Sequence, residues 1–347
     1  MIDDDAIEPE ALAGYAGKAW DESDSADFLE RARAEADYFN MRLDNGLNTF
    51  QSHFSGPAGP TIDRGICGGE TGQGLNFGSQ DYLSLTHHPA LREAAKQAID
   101  DHGLHSSGSA ILSGITDGAL ALERELADFV EMTDVTLFPI GWAAGFGLIT
   151  SLVRPDDHVV IDFLAHACLH QGAVSATKNV HPVPHLSLEG IERRLKRIRA
   201  SGPKSGILVV TESLFSMDSD VPDIGALQKL CKAHGATLFV DAAHDLGAIA
   251  PEGRGFLELQ GLLGKVDIMM GAFSKSFASN GGFVACNEPA LKIRLRTGCG
   301  PSTFTNASSP VQVATARAAL QLIRSKEGAE RRQRLLEIGR ASCRERV

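Results

Sequence analysis

The sequence predicts an α/β fold with a mainly parallel central sheet. Between about residues 75 and 310, short apolar segments alternate with longer amphipathic segments. Alternation of this kind is typical of strands that are covered by helices on both faces of one sheet. The chain has 347 residues, of which 43% are hydrophobic, so it can form a large core and more than one domain. In such folds ligands bind at the carboxyl ends of the strands, where we look for chemistry.

The charge and the cysteines narrow the class of protein. A formal net charge of -11 argues against a nucleic-acid or anionic-membrane partner, because both require a basic surface. The six cysteines are scattered without a CxxC pair, which is typical of a reducing cytoplasm, and the acidic first residues do not form a signal peptide. The uncharged stretch 135–153 contains Pro139 and three glycines, and it therefore predicts a buried strand, turn and helix rather than a transmembrane segment. We expect a cytoplasmic protein.

Three regions are predicted along the chain. Residues 1–74 form an N-terminal arm with a helix at 27–45, followed by a loop rich in glycine and proline. Residues 75–309 form the large domain. Residues 310–347 begin a C-terminal small domain that is truncated, as one helix that runs to the end of the chain. The last residues, 339–347, break the apolar period of that helix and are predicted to be a non-native tail.

The large domain is predicted to contain seven strands and at least six helices. Leu75 begins a short strand and turn, and amphipathic helices follow from His88 and around residues 122–130. Strands are predicted at 135–138, 158–162, 206–211, 237–241, 266–271 and 282–286, and further helices at 143–152, 166–176, 188–200 and 224–234.

Two neighbouring strand ends carry an acid and an amine. Lys275 follows the apolar strand VDIMMG in a Gly-Ala-Phe-Ser turn, where low dielectric disfavours its ammonium and makes a Schiff-base lysine accessible. Asp241 ends the preceding strand, and His244 follows it by three residues. Taken alone, Asp241 is as well explained as a helix cap.

Other strand ends supply an anion site and further polar groups. Gly141 and Trp142 begin a helix, where unpaired amides and the helix dipole bind phosphate. The absence of a Walker lysine argues against a nucleoside triphosphate. His166 begins another helix and Ser216 lies in a turn. A lysine, a carboxylate and an amide-rich helix start together match the needs of pyridoxal phosphate (PLP) for its aldehyde, ring nitrogen and phosphate.

The sequence resembles the α-oxoamine synthases over about residues 75–310. The motifs that carry the resemblance are NFGSQDYLSL, ALERELADF, DFLAHACLHQG, TESLFSMDSD, LFVDAAHDLGAIAPEGRG, GAFSKSFASNGGF and STFTNASSP. The resemblance implies a fold-type I PLP-dependent transferase of the aspartate aminotransferase type. It also implies that an amino acid condenses, with loss of CO2, with an acyl-CoA or an acyl carrier thioester to give an α-amino ketone.

The resemblance also implies a role for each candidate residue. Lys275 would bind the aldehyde of PLP and then take the Cα proton of the substrate. Asp241 would pair with the pyridine nitrogen, His244 would bind the phenolic oxygen, and His166 would stack on the ring. Gly141 and Trp142 would hold the phosphate, and Ser216 would lie close to the coenzyme. Thr305 and Asn306 would reach the phosphate of the neighbouring subunit. The protein would therefore be a homodimer with shared active sites. The spacing of the cysteines predicts no metal site.

Several positions depart from the family pattern. Ala272 stands where threonine often binds phosphate, which leaves Ser274 as a substitute. Ala119 and Ala110 replace a histidine and an arginine, and 300–302 read Gly-Pro-Ser in place of Arg-Pro-Tyr. These departures affect substrate recognition more than coenzyme binding. Two alternatives therefore stay open: another fold-type I PLP enzyme, such as an aminotransferase or lyase, and a non-catalytic or truncated partner subunit.

Overall fold

The computed structural model describes residues 21–45, 47, 53–56, 58–65, 71–202 and 204–344. Contacts divide the chain into two compact units, Met1–Ser79 and Gln80–Val347. Much of the predicted N-terminal arm lies outside the described residues, so the predicted division at residues 74 and 75 stays a prediction.

Helix α1 and a small antiparallel sheet lie in the described residues of the first unit. Helix α1 (Phe28–Asp44) agrees with the prediction, and the Asp27 side chain caps it by accepting a hydrogen bond from the Leu29 amide. Strands β1 (His53–Ser55), β2 (Thr61–Gly65) and β3 (Thr71–Leu75) follow in the order β1-β2-β3. The prediction of a loop was wrong for these residues. Their glycine-rich sequence has no alternating apolar pattern, and the strands are defined by backbone pairing instead.

The second unit is built on a seven-stranded sheet. Its strands are β4 (Asp134–Phe138), β5 (His158–Asp162), β6 (Val180–Val183), β7 (Ile207–Glu212), β8 (Thr237–Asp241), β9 (Ile268–Ala272) and β10 (Gly282–Cys286). They lie in the order β4-β10-β9-β8-β7-β5-β6, and only the pairings made by β10 are antiparallel within this sheet. The predicted mainly parallel sheet is confirmed.

Strand β6 was not predicted from the sequence. It is the edge strand next to β5, and it carries Pro182, which lacks the amide that a central strand needs. The short strand predicted to begin at Leu75 does not form. Leu75 is the last residue of β3, and the residues between Asn76 and His88 form turns and irregular backbone.

Helices cover both faces of the sheet. They are α2 (Pro89–His102), α3 (Asp117–Val130), α4 (Gly141–Leu152), α5 (Ala167–Ala176), α6 (Leu188–Ser201), α7 (Ile224–Ala233), α8 (Gly255–Leu259), α9 (Pro289–Gly298), α10 (Gly300–Thr303), α11 (Pro310–Ile323) and α12 (Lys326–Arg344). Along β8, Leu238 and Val240 enter one hydrophobic core while Phe239 enters the other. The strands are therefore buried on both faces, as the apolar runs predicted.

The C-terminal segment forms two helices rather than the single predicted one. Helix α11 ends at Ile323, and the Ser325 hydroxyl then accepts a hydrogen bond from the Gly328 amide at the start of α12. The apolar period does not show this break, because a serine cap interrupts a helix without changing its hydrophobic pattern. Val313 and Ala316 of α11 enter the main core. The predicted small domain from 310 and non-native tail from 339 stay predictions, and 345–347 lie outside the described residues.

Over the residues that the structure describes, we find no helix that combines enough length with enough apolar character to cross a membrane.

Candidate active site

A cleft of about 510 Å³ opens where β8 and β9 end and α4 begins. Eight of the ten residues predicted to bind the coenzyme line it. They are Gly141, Trp142, His166, Ser216, Asp241, His244, Ser274 and Lys275. These residues are distant in sequence, and the parallel sheet brings them together because the carboxyl ends of its strands share one edge.

Asp241 supplies a buried acid at the end of β8. Its side chain is 5% exposed, and Oδ1 accepts a hydrogen bond of 2.9 Å from the Ala243 amide. Burial raises the pKa of Asp241, whereas this hydrogen bond and the nearby charge of Lys275 oppose the rise. The bonded amide lies in the turn after β8 and not in a helix, so the helix-cap interpretation does not describe it.

Lys275 is held in the wall of the cleft just after β9. Lys275 is 9% exposed. Its Nζ forms no hydrogen bond or ion pair with any residue in the described part of the chain. Burial lowers the pKa of Lys275, although the charges of Asp241 and Glu212 act in the opposite direction. An amine with a lowered pKa and no partner is suited to nucleophilic attack on a carbonyl group.

His166 lies at the start of α5, where it acts as the helix cap. Its Nδ1 accepts a hydrogen bond of 3.2 Å from the Cys168 amide and lies 3.0 Å from the Cys168 sulfur. Because Nδ1 is an acceptor, the ring carries its proton on Nε2. The ring is exposed in the cleft wall, as stacking on a planar ligand would require.

Glu212 is a buried acid that the sequence analysis missed. It ends β7, pairs in register with Asp241 of β8, and is 2% exposed. Its Oε1 accepts a hydrogen bond of 2.6 Å from the His166 amide. Burial, with the charge of Asp241 adding to it, raises the pKa of Glu212 to about 8. An acid that ends a fully buried strand was the available signal, the same one that drew attention to Asp241.

Tyr82 is the second residue that the sequence analysis missed. Its hydroxyl lies 2.9 Å from Nδ1 of His244, and both residues line the cleft. Burial, followed by the charges of Lys275 and His166, lowers the pKa of His244 to about 4. Tyr82 lies inside a motif that carried the family resemblance, but no spacing in the sequence connects it with His244, which is 162 residues away.

Helix α4 presents free backbone amides to the cleft. Ile140 is its cap residue and forms no side-chain hydrogen bond to the first turn. A Cβ atom on Gly141 would lie 2.7 Å from Cβ of Ala272, so glycine is needed for the helix to begin against β9. Trp142 stacks on Phe146 with 4.7 Å between ring centroids. The uncapped amides and the helix dipole make this end of the cleft suitable for an anion.

The remaining candidates differ in placement. Ser216 and Ser274 are exposed at the cleft. Thr305 and Asn306 are exposed elsewhere and do not line it: Thr305 donates its hydroxyl to the Pro301 carbonyl at 2.6 Å, and Asn306 forms a β-bridge with Ser109. Within one chain, therefore, these two residues lie outside the cleft that the other eight line.

Departures from the family pattern lie in two places. Ala272 lines the main cleft, at the foot of α4. Ala110, Ala119 and Ser302 line a separate cavity of about 30 Å³, which Asn306 also lines. The departures thus affect one position beside the candidate site and a second cavity outside it.

One group of metal-ligating side chains occurs among the described residues. His185, Asp218 and Asp220 each place a ligand atom within 4.8 Å of the others. Both aspartates are exposed. His185 Nδ1 lies 2.9 Å from Oδ1 of Asp162, and its Nε2 lies 3.3 Å from Oδ2 of Asp220. The group does not line the cleft.

Comparison with known proteins identifies the family. The profile of the family "Aminotransferase class I and II" matches residues 73–342. A serine palmitoyltransferase from Sphingomonas paucimobilis is 33% identical over 265 residues, which are 76% of this chain and 62% of that protein. An 8-amino-7-oxononanoate synthase from Klebsiella pneumoniae is 33% identical over 311 residues, covering 88% of this chain and 75% of that protein.

A solved structure supports the same grouping. A high-resolution structure of serine palmitoyltransferase with PLP superposes with a TM-score of 0.82 at 29% identity, covering 90% of this chain and 76% of that one. The chain belongs to the aminotransferase class I and II family, in its α-oxoamine synthase group. It spans less than two thirds of the length of the S. paucimobilis relative.

Proposed function

We propose that this chain binds PLP in the cleft and acts as an acyltransferase that condenses a small amino acid with an acyl thioester. The observation that carries the proposal is the placement of Lys275 and Asp241 at the ends of neighbouring strands, in one cleft that also receives the start of α4. Amine, carboxylate and uncapped helix amides are the three groups that the aldehyde, ring nitrogen and phosphate of PLP require.

The residues present fit this coenzyme. The uncapped start of α4 offers donors and a positive dipole to a phosphate, and a side chain at Gly141 would collide with Ala272. Ser274 and Ser216 line the same cleft and supply hydroxyl groups. When bound, PLP supplies an electron sink for the pair of electrons left at the amino acid Cα. Binding it is the first requirement of the proposed function.

Each residue then has a task that follows from its environment. Lys275, with its lowered pKa, binds the coenzyme through Nζ and afterwards takes the proton from Cα. Asp241 would hold a proton on the ring nitrogen, because a cation there favours the charged form of a carboxylate beside it. His166 presents a ring to the cleft and orients the coenzyme. Burial around these groups keeps water from competing for the proton.

The proposed reaction is a decarboxylative condensation. The amino acid loses its Cα proton, Cα attacks the acyl carbonyl, and the thiol leaves. Loss of CO2 and reprotonation at Cα give an α-amino ketone. The overall products are the amino ketone, CO2 and the free thiol, which is CoA or the thiol of an acyl carrier protein.

Product analysis tests the reaction. Purified protein loaded with PLP is mixed with glycine, alanine or serine and with short or long acyl-CoA donors, and CoA release and amino ketones are followed by mass spectrometry. We expect one pair to release CoA with a matching amino ketone, and Lys275→Ala to release none. A protein that shows the visible absorbance of bound PLP but forms no product with any of these amino acids and donors would contradict acyl transfer. It would not contradict the proposed binding of PLP.

We further propose a cytoplasmic homodimer with shared sites. Thr305 and Asn306 are exposed outside the cleft, which is where residues that complete a partner's site would lie. Four cysteines among the described residues are free and buried, as is typical of a reducing compartment. Sedimentation measures the dimer, and mixing Lys275→Ala with Thr305→Ala tests sharing. Recovery of activity in the mixture supports shared sites, and no recovery contradicts them.

A non-catalytic partner subunit is the second candidate. It is favoured by Ala272, which places a methyl group at the foot of α4 where a hydroxyl would bind phosphate. The two candidate functions predict different absorbance after addition of PLP. Wild-type protein that stays colourless would support the partner subunit. A visible band that is absent from Lys275→Ala would support the enzyme.

A further inference from the structure

Tyr82 and His244 form a hydrogen-bonded pair in the wall of the cleft. The Tyr82 hydroxyl lies 2.9 Å from His244 Nδ1, and the ring centroids are 6.2 Å apart. The turn that carries Tyr82 is anchored in the main core by Leu83, which is 3% exposed, and by Leu85, which is 1% exposed. The Asp81 carboxylate closes this turn by accepting hydrogen bonds from the Leu85 and Thr86 amides, both at 2.8 Å. The pair is therefore a fixed part of the cleft.

The protonation of both groups decides which of them donates. Burial raises the pKa of Tyr82, so the phenol keeps its proton. The pKa of His244 is lowered to about 4, so the imidazole is neutral at neutral pH and has one donor and one acceptor nitrogen. A phenol is a better donor than acceptor, and among the described residues the Tyr82 hydroxyl has no other hydrogen-bond partner. Tyr82 therefore donates to Nδ1.

We propose that Tyr82 is a positioning residue that holds His244 in the tautomer with its proton on Nε2, so that this nitrogen donates to an anionic oxygen in the cleft. The inference rests on the proposed function in one respect: the oxygen would be the phenolic oxygen of bound PLP. The direction of the hydrogen bond between Tyr82 and His244 does not depend on the coenzyme.

The pairing has a specific consequence for recognition. A histidine free to change tautomer, or to turn its ring, can present a lone pair to an anionic oxygen, and the interaction is then repulsive. Holding Nδ1 as an acceptor removes that state and leaves one donor ready. Loss of one hydrogen bond of this kind weakens binding by about tenfold. Tyr82 thus acts through His244.

Nuclear magnetic resonance of the coenzyme-free protein tests the tautomer. Protein labelled with ¹⁵N at histidine is compared with Tyr82→Phe, which removes only the hydroxyl, and the His244 signals are assigned by their loss in His244→Gln. We expect wild-type His244 to carry its proton on Nε2 and to show a hydrogen-bonded Nδ1, and the Nδ1 resonance to move to that of a free acceptor in Tyr82→Phe. A proton on Nδ1 in wild type, or an unmoved Nδ1 resonance in the variant, would overturn the proposal.

A titration with PLP measures the consequence for binding. We expect Tyr82→Phe to bind PLP about tenfold more weakly than wild type and to shift the visible band, whereas Tyr38→Phe, the same change in α1, does neither. Equal affinity and an unshifted band in Tyr82→Phe would overturn the role of Tyr82 in recognition. If wild type binds no PLP, the proposed function fails, but the tautomer measured without coenzyme still decides the pairing. Because the wild-type tautomer is measured without Tyr82→Phe, a folding defect in that variant does not leave the proposal untested.

Discussion

At the scale of single residues, two buried carboxyl groups determine the electrostatics of the cleft. Asp241 and Glu212 end neighbouring strands in register, at 5% and 2% exposure. Burial raises the pKa of both, and Lys275 is the nearby cation that opposes the rise. Because two close acids titrate as a pair, ionisation of one raises the pKa of the other. A proton on the ring nitrogen of bound PLP would favour the charged form of Asp241.

The charge on Asp241 leads to the first prediction. Asp241→Asn keeps the shape of the side chain but removes the charge that would hold a proton on the ring nitrogen of PLP. We expect exchange of the Cα proton of glycine with solvent deuterium to slow by about a hundredfold or more, with the fold retained. Asp128→Asn, on the exposed face of α3, is the matched control and should exchange at the wild-type rate. Undiminished exchange in Asp241→Asn would contradict its role.

Glu212 leads to a prediction about stability and pH. Its pKa is about 8 in the folded protein, above the ordinary value of 4.5, so between these pH values the unfolded chain is ionised while the folded chain retains the proton. This contribution to stability is present below pH 4.5 and is lost as pH rises toward about 8. Glu212→Gln cannot ionise, and we expect its free energy of unfolding to fall less than that of wild type between about pH 5 and about pH 8.

Urea unfolding of the coenzyme-free protein measures this difference. Glu330→Gln is the control, because Glu330 is 64% exposed on α12 and its substitution should leave the pH dependence unchanged. Burial also raises the pKa of Asp245, to about 6. Because Asp245 is present in every variant, it lowers the free energy of unfolding equally in all of them as pH rises toward about 6. Parallel curves for wild type and Glu212→Gln would show that Glu212 is ionised in the folded protein.

At the scale of elements, the proposed anion binding depends on the start of α4. Gly141→Ala places a methyl group 2.7 Å from Cβ of Ala272, so α4 or β9 must move. We expect a loss of about 1–3 kcal/mol of stability and PLP binding at least about tenfold weaker. Gly300→Ala is the matched control, since a Cβ there meets no atom within 4 Å. Equal affinities and melting temperatures in the two variants would show that the close contact is not required.

The sequence predicted elements better than it predicted contacts. Strands β5, β8 and β10 begin and end where their apolar runs do, and Asp241 and Lys275 were found because each follows such a run. Strand β6 was missed because Pro182 is tolerated only at the sheet edge, a position that the sequence does not reveal.

The missed site residues have a different cause. Glu212 is important because of the backbone amide of His166, which is 46 residues away, and Tyr82 because of a ring 162 residues away. Such pairs come together only through the order of strands in the sheet and the turn before α2. Thr305 and Asn306 were chosen by resemblance, and the structure of one chain cannot supply the partner surface that their predicted role needs.

At the scale of the whole molecule, Arg332 holds α12 against the rest of the second unit. It is 5% exposed, and its guanidinium donates to the carbonyls of Ile323 and Pro251. Arg332→Ala leaves both carbonyls without this donor, and we expect a loss of about 3 kcal/mol in the free energy of unfolding. Arg334→Ala, at an exposed position on the same helix, should change it by no more than about 0.5 kcal/mol. Equal losses in urea unfolding would show that α12 is not anchored through Arg332.

The whole account depends on Lys275 as the residue that binds PLP. The direct measurement is to incubate the protein with PLP, reduce it with borohydride, and locate the added mass by peptide mass spectrometry. We expect one PLP-derived mass on the peptide containing Lys275 and none in Lys275→Ala. Modification that is spread over other lysines, or that persists in Lys275→Ala, would contradict it.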